Sequence, residues 1–183
     1  MKDFILKLTR EAIENFVRDK KIISIPTDYP RELNEKRGLF VTIYKKEPKK
    51  LRGCIGFPYP EKPLIRGLID AAVSACEDPR FESIKPEELN DIFIEISILT
   101  EPELIKSGVA NGYLNNIEAG KHGLIIKRGL RQGLLLPQVW SSLPKKENFL
   151  EALCMKAGLL ADGWLDPLTE IYRFQIKAFE EDF

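Results

Sequence analysis

The order strand, strand, helix, strand is written twice in this chain, at an offset of roughly 80 to 85 residues. In the first copy, a β-branched and aromatic run at 39–44 and a second run at 51–57 flank a basic tip and read as a hairpin. Leu64, Leu68, Ala71, Ala72 and Ala75 then step at helical spacing as far as Asp78-Pro79, which stops the helix. Ile92, Ile94, Ile96 and Ile98 alternate with Phe93, Glu95, Ser97 and Leu99 in a third strand. In the second copy, 123–128 and 132–138 make a hairpin around Gly129-Leu130-Arg131. Phe149, Leu150, Leu153, Cys154 and Ala157 mark a helix ending at Gly158, and a strand at 171–179 follows. Two copies are too few for a solenoid. The expected fold is therefore α+β, with duplicated β-β-α-β units that join in one antiparallel-rich, barrel-like sheet, helices outside and a cleft between two subdomains.

Ahead of the first copy, Phe4, Ile5, Leu8, Ala12, Ile13, Phe16 and Val17 recur at three- and four-residue steps and predict an amphipathic helix over 3–20. The whole chain of 183 residues reads as a single domain of two related halves, 38–99 and 123–179. Hydrophobic residues at 44% and charged residues at 31% give it a globular composition and exclude a disordered tail or a collagen-like fibre. No apolar stretch approaches the roughly 20 residues that cross a bilayer. The start of the chain leads into a charged helix rather than a secretory segment, so the expected compartment is the cytoplasm. Three widely spaced cysteines, Cys54, Cys76 and Cys154, fit reduced thiols there. Net charge is zero, so no long-range field draws the molecule to nucleic acid or anionic lipid; only local patches could do so.

The most unusual local string is Leu51-Arg52-Gly53-Cys54-Ile55-Gly56-Phe57-Pro58. Glycine weakens a strand interior, so two of them around one cysteine imply a bulge or a close approach to the backbone. Simple alternation puts Arg52, Cys54 and Gly56 on one face, with the guanidinium beside the thiol; a cation there favours the thiolate. Cys54 is thus the candidate nucleophile, against the plainer reading of an inert buried thiol. Glu95 is the one charge in an apolar strand, either orienting a base or held in an ion pair with Arg52 or Arg80. His122, the only histidine, sits at the mouth of the second hairpin and is the candidate base, against an ordinary exposed loop residue. Both hairpin tips are basic, Lys45, Lys46, Lys49 and Lys50 in the first and Lys127, Arg128 and Arg131 in the second. They could grip phosphates, although lysine on a hairpin tip commonly serves solubility. Close cysteine pairs are absent, which argues against zinc. Phosphate-binding glycine loops, nucleophile elbows and His-Glu-x-x-His are absent too, so no cofactor is expected.

The strings Leu51-Arg52-Gly53-Cys54-Ile55-Gly56, His122-Gly123-Leu124, Gly133-Leu134-Leu135-Leu136-Pro137-Gln138-Val139 and Cys154-Met155-Lys156-Ala157-Gly158-Leu159 resemble those of the AMMECR family. Arg80-Phe81 agrees as well. The stretch Trp140-Ser141-Ser142-Leu143 departs from the family, in which an acidic residue is more usual there. The resemblance spans nearly the whole chain, as a prokaryotic or archaeal homologue. It implies a cytosolic α+β fold of two related halves with a cleft lined by the glycine-cysteine motif, and associations with nucleic-acid or translation processes and with Memo-type and radical-SAM proteins. It implies no reaction. The function expected is cysteine-dependent group transfer or hydrolysis by Cys54, His122 and Glu95, with Arg52, Gly53, Gly56 and Gln138 as ligand-binding residues. The alternative is a non-catalytic module that binds RNA, a nucleotide or a protein partner.

Overall fold

The structure, a computed structural model, describes residues 1–106 and 110–182. Helix α1 (Lys2–Asp19) buries Ile5, Leu8, Ala12, Ile13, Phe16 and Val17, the stripe that its spacing predicts, and Lys20 ends it in the left-handed region at φ 54°. Each such large apolar side chain contributes about 1.5–3 kcal/mol when fully buried. Strands β1 (Leu39–Lys45) and β2 (Lys50–Phe57) form the first hairpin, followed by α2 (Leu64–Cys76) and β3 (Ile92–Leu99). After the short β4 (Glu103–Leu104) and α3 (Ala110–Asn116) come the second hairpin, β5 (Gly123–Arg128) and β6 (Arg131–Leu135), and then α4 (Lys146–Lys156). Strands β7 (Glu170–Phe174) and β8 (Ile176–Glu180) close the chain.

The fold is α+β with two antiparallel sheets, and the single barrel-like sheet expected from the sequence does not form. One sheet has the order β2-β1-β3-β8, the other β4-β7-β5-β6. In each, the first strand of the hairpin lies between its hairpin partner and the strand that follows the helix. The long last strand expected at 171–179 is two strands in different sheets. Gln175 separates them, its N–H donating to Thr100 Oγ1 (2.9 Å) and its carbonyl accepting from the Thr100 N–H (2.8 Å). Alternation of side chains carries straight through such a crossing, which is why the sequence pattern does not reveal it.

The chain divides into two compact units, residues 1–99 with 177–183, and residues 100–176. In the first, Leu39, Val41 and Ile43 of β1 and the even-numbered isoleucines of β3 turn to α1 and α2 and are buried. The second has its own core of Leu124, Ile126, Phe149, Leu150, Leu153, Trp164 and Ile171 among others. Two glycines permit the close packing of strand on helix. A Cβ on Gly53 would lie 2.2 Å from the Ala75 carbonyl oxygen of α2, and one on Gly133 would lie 3.0 Å from the Leu153 carbonyl oxygen of α4. The close approach that the sequence implies at Gly53 is thus made by the protein's own helix. Gly56 is likewise enclosed: a Cβ added there would lie 2.2 Å from the Leu39 carbonyl oxygen and against the Phe40 ring.

Candidate functional site

The face of the first sheet opposite α2 carries a row of three residues across three strands. Thr42 in β1 is the register partner of Cys54 in β2 and of Glu95 in β3. Directly paired residues hold their side chains about 4.5–5.5 Å apart on one face. Thr42 Oγ1 lies 3.2 Å from Cys54 Sγ, within hydrogen-bond distance. Two residues along, Tyr44 stacks on Phe93 at 5.2 Å between ring centroids. Burial raises the Tyr44 hydroxyl above its usual pKa, and the Glu95 carboxylate near it adds to the shift.

Cys54 differs from the other two cysteines. It is partly exposed, whereas Cys76 and Cys154 are buried, and burial pushes their thiols up to about 12 and about 11. Those two remain protonated at neutral pH, and a protonated thiol is a poor nucleophile.

The cation beside Cys54 is Arg80, not Arg52. The register between β1 and β2 shifts after Ile43, which pairs with Gly53 while Tyr44 pairs with Leu51. Arg52 is the extra residue of this bulge and leaves the alternation that the sequence suggested. Its guanidinium is held by both oxygens of Glu88 (2.8 and 2.9 Å) and by the carbonyls of Glu82 (2.7 Å) and Ser83 (3.3 Å). Glu88 is held down at about 2 by this arginine. Arg52 is therefore a buried tie between β2 and the short helix Pro86–Asn90.

At Cys54, the backbone on the free side of β2 is fixed by side chains. Asp78 Oδ2 accepts from the Cys54 N–H at 2.9 Å, and Arg80 Nη2 donates to the Cys54 carbonyl at 3.2 Å. Asp78 also accepts from the Arg80 N–H (3.0 Å), Nε (3.0 Å) and Nη2 (2.6 Å). Arg80 first, then these backbone donors, hold the Asp78 carboxyl far below the usual carboxylate range despite its burial. With Arg52 on Glu88 and Arg80 on Asp78, neither arginine is the ion-pair partner that the plainer of the two readings gives Glu95.

His122 belongs to the second unit and is buried, not an exposed loop residue. Its Nδ1 accepts the Glu118 N–H at 3.0 Å, and its carbonyl accepts the indole N–H of Trp140 at 2.7 Å. Accepting at Nδ1 places the proton of the neutral ring on Nε2. Burial, with the Arg173 and Lys121 cations adding to it, lowers the pKa of the ring. The lone pair that a general base needs is already engaged, so the geometry gives His122 a structural part. Of the Trp140-Ser141-Ser142-Leu143 stretch, Trp140 is core, stacked on Phe149 at 3.8 Å, and Leu143 packs against that core, while the two serines are exposed. Gln138 is exposed beside an open depression with Gly120, Lys121, Pro137 and Gln175.

The basic tips are largely engaged as well. Lys45 pairs with Glu88 (3.6 Å), Lys46 donates to the Asn90 carbonyl (2.8 Å), and Lys49 pairs with Glu180 (2.8 Å) while lying over Tyr44 and Phe93. Arg128 pairs with Asp166, Arg131 donates to the Gly158 carbonyl, and Lys127 lies over the Tyr172 ring. Lys50 is exposed. Asp78 was missed by sequence reasoning as a site residue. Its one local signal is the turn Asp78-Pro79-Arg80, and its bond to Cys54 spans 24 positions. No group of three or more histidine, cysteine, aspartate or glutamate side chains suited to a metal ion occurs among the described residues. No helix among them is long and apolar enough to cross a membrane.

Comparison with known proteins gives this arrangement a family. The chain is 45% identical to protein TK0174 of Thermococcus kodakarensis over 190 aligned residues, covering 99% of this chain and 90% of that one. A protein of Methanothermobacter thermautotrophicus is 48% identical, with 97% and 93% of the two chains covered. The crystal structure of protein PH0010 from Pyrococcus horikoshii superposes with a TM-score of 0.78 at 42% identity, over 98% of this chain and 91% of that one. The AMMECR1 family model matches residues 6–179, from within α1 to the last strand and so across both units. With the glycine-cysteine string, the second hairpin and helices α2 and α4 inside that match, the chain belongs to the AMMECR1 family.

Proposed function

We propose that this protein carries out cysteine-dependent group transfer or hydrolysis at the Cys54 face of its first sheet. The observation that carries the reading is the placement of Cys54: partly exposed, with its sulfur against the Thr42 hydroxyl and its backbone gripped on the free side of the strand by Asp78 and Arg80. In the proposed step the thiolate adds to an electrophilic carbonyl carbon, forming an S–C bond as the leaving group departs with the bonding pair and takes up a proton. Water or a second nucleophile then breaks that S–C bond and returns the thiol. Glu95 lies on the same face with Thr42 between it and Cys54, two strands away and beyond the reach of direct proton transfer, so in the proposed step this partly exposed thiol gives its proton to solvent rather than to Glu95 or His122. Gly53 and Gly56 are left out of the proposed site because helix and strand packing accounts for them, and Arg52 because Glu88 holds it.

Binding of RNA or another polyanion by the hairpin tips is set aside, since most of their cations have acidic or carbonyl partners at hand. We further read the matching strand orders, and the glycine that meets the helix C-terminus in each unit, as two related halves descended from one. The free thiols suit a reducing compartment, which we take to be the cytoplasm.

The test is alkylation of the folded chain with iodoacetamide between about pH 5 and 9, read by peptide mass mapping. Cys54 should be modified faster than the thiol of a short peptide, while Cys76 and Cys154 stay unmodified. A Cys54 rate no greater than the peptide's would remove the nucleophile.

A further inference from the structure

We propose that Arg80, braced by Asp78, is an anion-recognising group beside Cys54, and that the electrophiles met by this thiol bear a carboxylate or similar anion. This rests on the reading of Cys54 as a nucleophile and names the class of its substrate.

The pair is oriented. The Asp78 side chain is 1% exposed and that of Arg80 57% exposed, so the negative end is buried and the positive end faces solvent. Asp78 accepts four hydrogen bonds, one from Cys54 itself and three from Arg80. A guanidinium has five N–H donors in a rigid fork. Here Nε and Nη2 are engaged by Asp78 and by the Cys54 carbonyl, and the structure gives Nη1 no hydrogen-bond partner among the described residues. Two donors are thus held in place next to the residue whose sulfur is proposed to react. Bracing removes the rotamer entropy that a free arginine would lose on meeting a ligand, and it sets the fork before the ligand arrives. The opposite charge on this face is Glu95, two strands in from Cys54, or about 10 Å across the sheet at the usual strand spacing. Lys49 and Glu180 neutralise one another beyond Tyr44. The pair as a whole is neutral, but it turns its donors outward beside Cys54 and keeps its carboxylate buried, so a compact monoanion fits at the Arg80 end of this face and away from Glu95.

Two alkylating reagents of nearly one shape, iodoacetate and iodoacetamide, separate charge from reactivity. In each, the sulfur forms a bond to the methylene carbon and iodide leaves. The ratio of the iodoacetate rate to the iodoacetamide rate at Cys54 should exceed that of glutathione, measured in parallel, by about fivefold or more, as expected of a charge-assisted contact at a partly exposed site. The excess should shrink as ionic strength rises from about 0.01 to 0.5 M. In the double variant Asp78→Asn, Arg80→Gln, which keeps a neutral hydrogen-bonding pair, the ratio should fall to within about twofold of glutathione's. A wild-type ratio equal to glutathione's, or a ratio that the double variant leaves in place, overturns the proposal while the nucleophile stands. Should Cys54 react with neither reagent, the nucleophile reading falls, and anion recognition is read in the Cys54→Ser chain from the Arg80 Nε–H resonance on titration with acetate. A saturable shift there supports the anion site; a resonance that does not move overturns it.

Discussion

Gly53 shows how tightly the Arg-Gly-Cys string is built into its surroundings. An added Cβ would stand 2.2 Å from the Ala75 carbonyl oxygen, a backbone atom near the end of α2 that cannot turn aside as a flexible side chain would. Gly53→Ala should therefore destabilise the protein by at least about 1–3 kcal/mol, the usual cost of overpacking. A lower urea midpoint with an unchanged slope would register it, and a midpoint equal to wild type would mean that strand and helix can part freely here. The sequence made a bulge or close approach legible at this glycine, because an unbranched backbone in a β-rich string has few other uses. It did not reveal what the bulge does to Arg52. One extra residue in β2 reverses the face on which every residue before it lies, so the neighbour assigned to the thiol by counting in twos was the wrong arginine. Arg80 was legible as an arginine near a turn. Its place beside Cys54 was not, because the Asp78 bond to Cys54 joins a loop after α2 to the edge of β2.

Secondary-structure elements were more legible than their partners. Both hairpins and both central helices follow from local spacing, yet the sheet to which each strand belongs depends on hydrogen bonds formed far away in sequence. β8 illustrates this: read as the end of β7, it instead completes the sheet that contains β3. Glu181, just beyond it, fixes the attachment. Its N–H donates to the Ile94 carbonyl (3.0 Å), its carboxylate accepts the Ile94 N–H (2.9 Å), and the same carboxylate binds the Arg10 guanidinium of α1. Arg10 in turn donates to the carbonyls of Leu89 (3.3 Å) and Ile92 (3.2 Å). Glu181→Ala leaves the Ile94 N–H without its acceptor and takes the carboxylate from the Arg10 guanidinium, which keeps only its two carbonyl partners, a loss of about 1–3 kcal/mol. Amide exchange at Ile94 should accelerate together with that of the β8 amides. If the β8 amides keep their wild-type protection in the variant, the carboxylate is not what fastens the strand.

At the scale of the molecule, the two units hold different titrating groups and should respond to acid at different points. In the second unit, burial lowers the pKa of His122 below its ordinary value of about 6.5. Below that value the unfolded chain binds a proton that the folded chain resists, so stability declines as pH falls from about 6.5 through the lowered pKa. In the first unit, Arg52 holds Glu88 at about 2 and Arg80 holds Asp78 well below the usual carboxylate range. Both contribute stability that is present above the unfolded carboxyl values of about 4 and is lost as pH falls through the folded ones. Amide exchange on acidification should thus show the core around Ile126 and Leu153 loosening from about pH 6.5, while the core around Ile94 and Leu68 holds until below about pH 4. His122→Gln, which does not titrate, should remove the earlier step and leave the later one. Simultaneous loss of protection in both cores at the carboxyl step would mean that the units unfold as one and that the imidazole contributes nothing measurable to either.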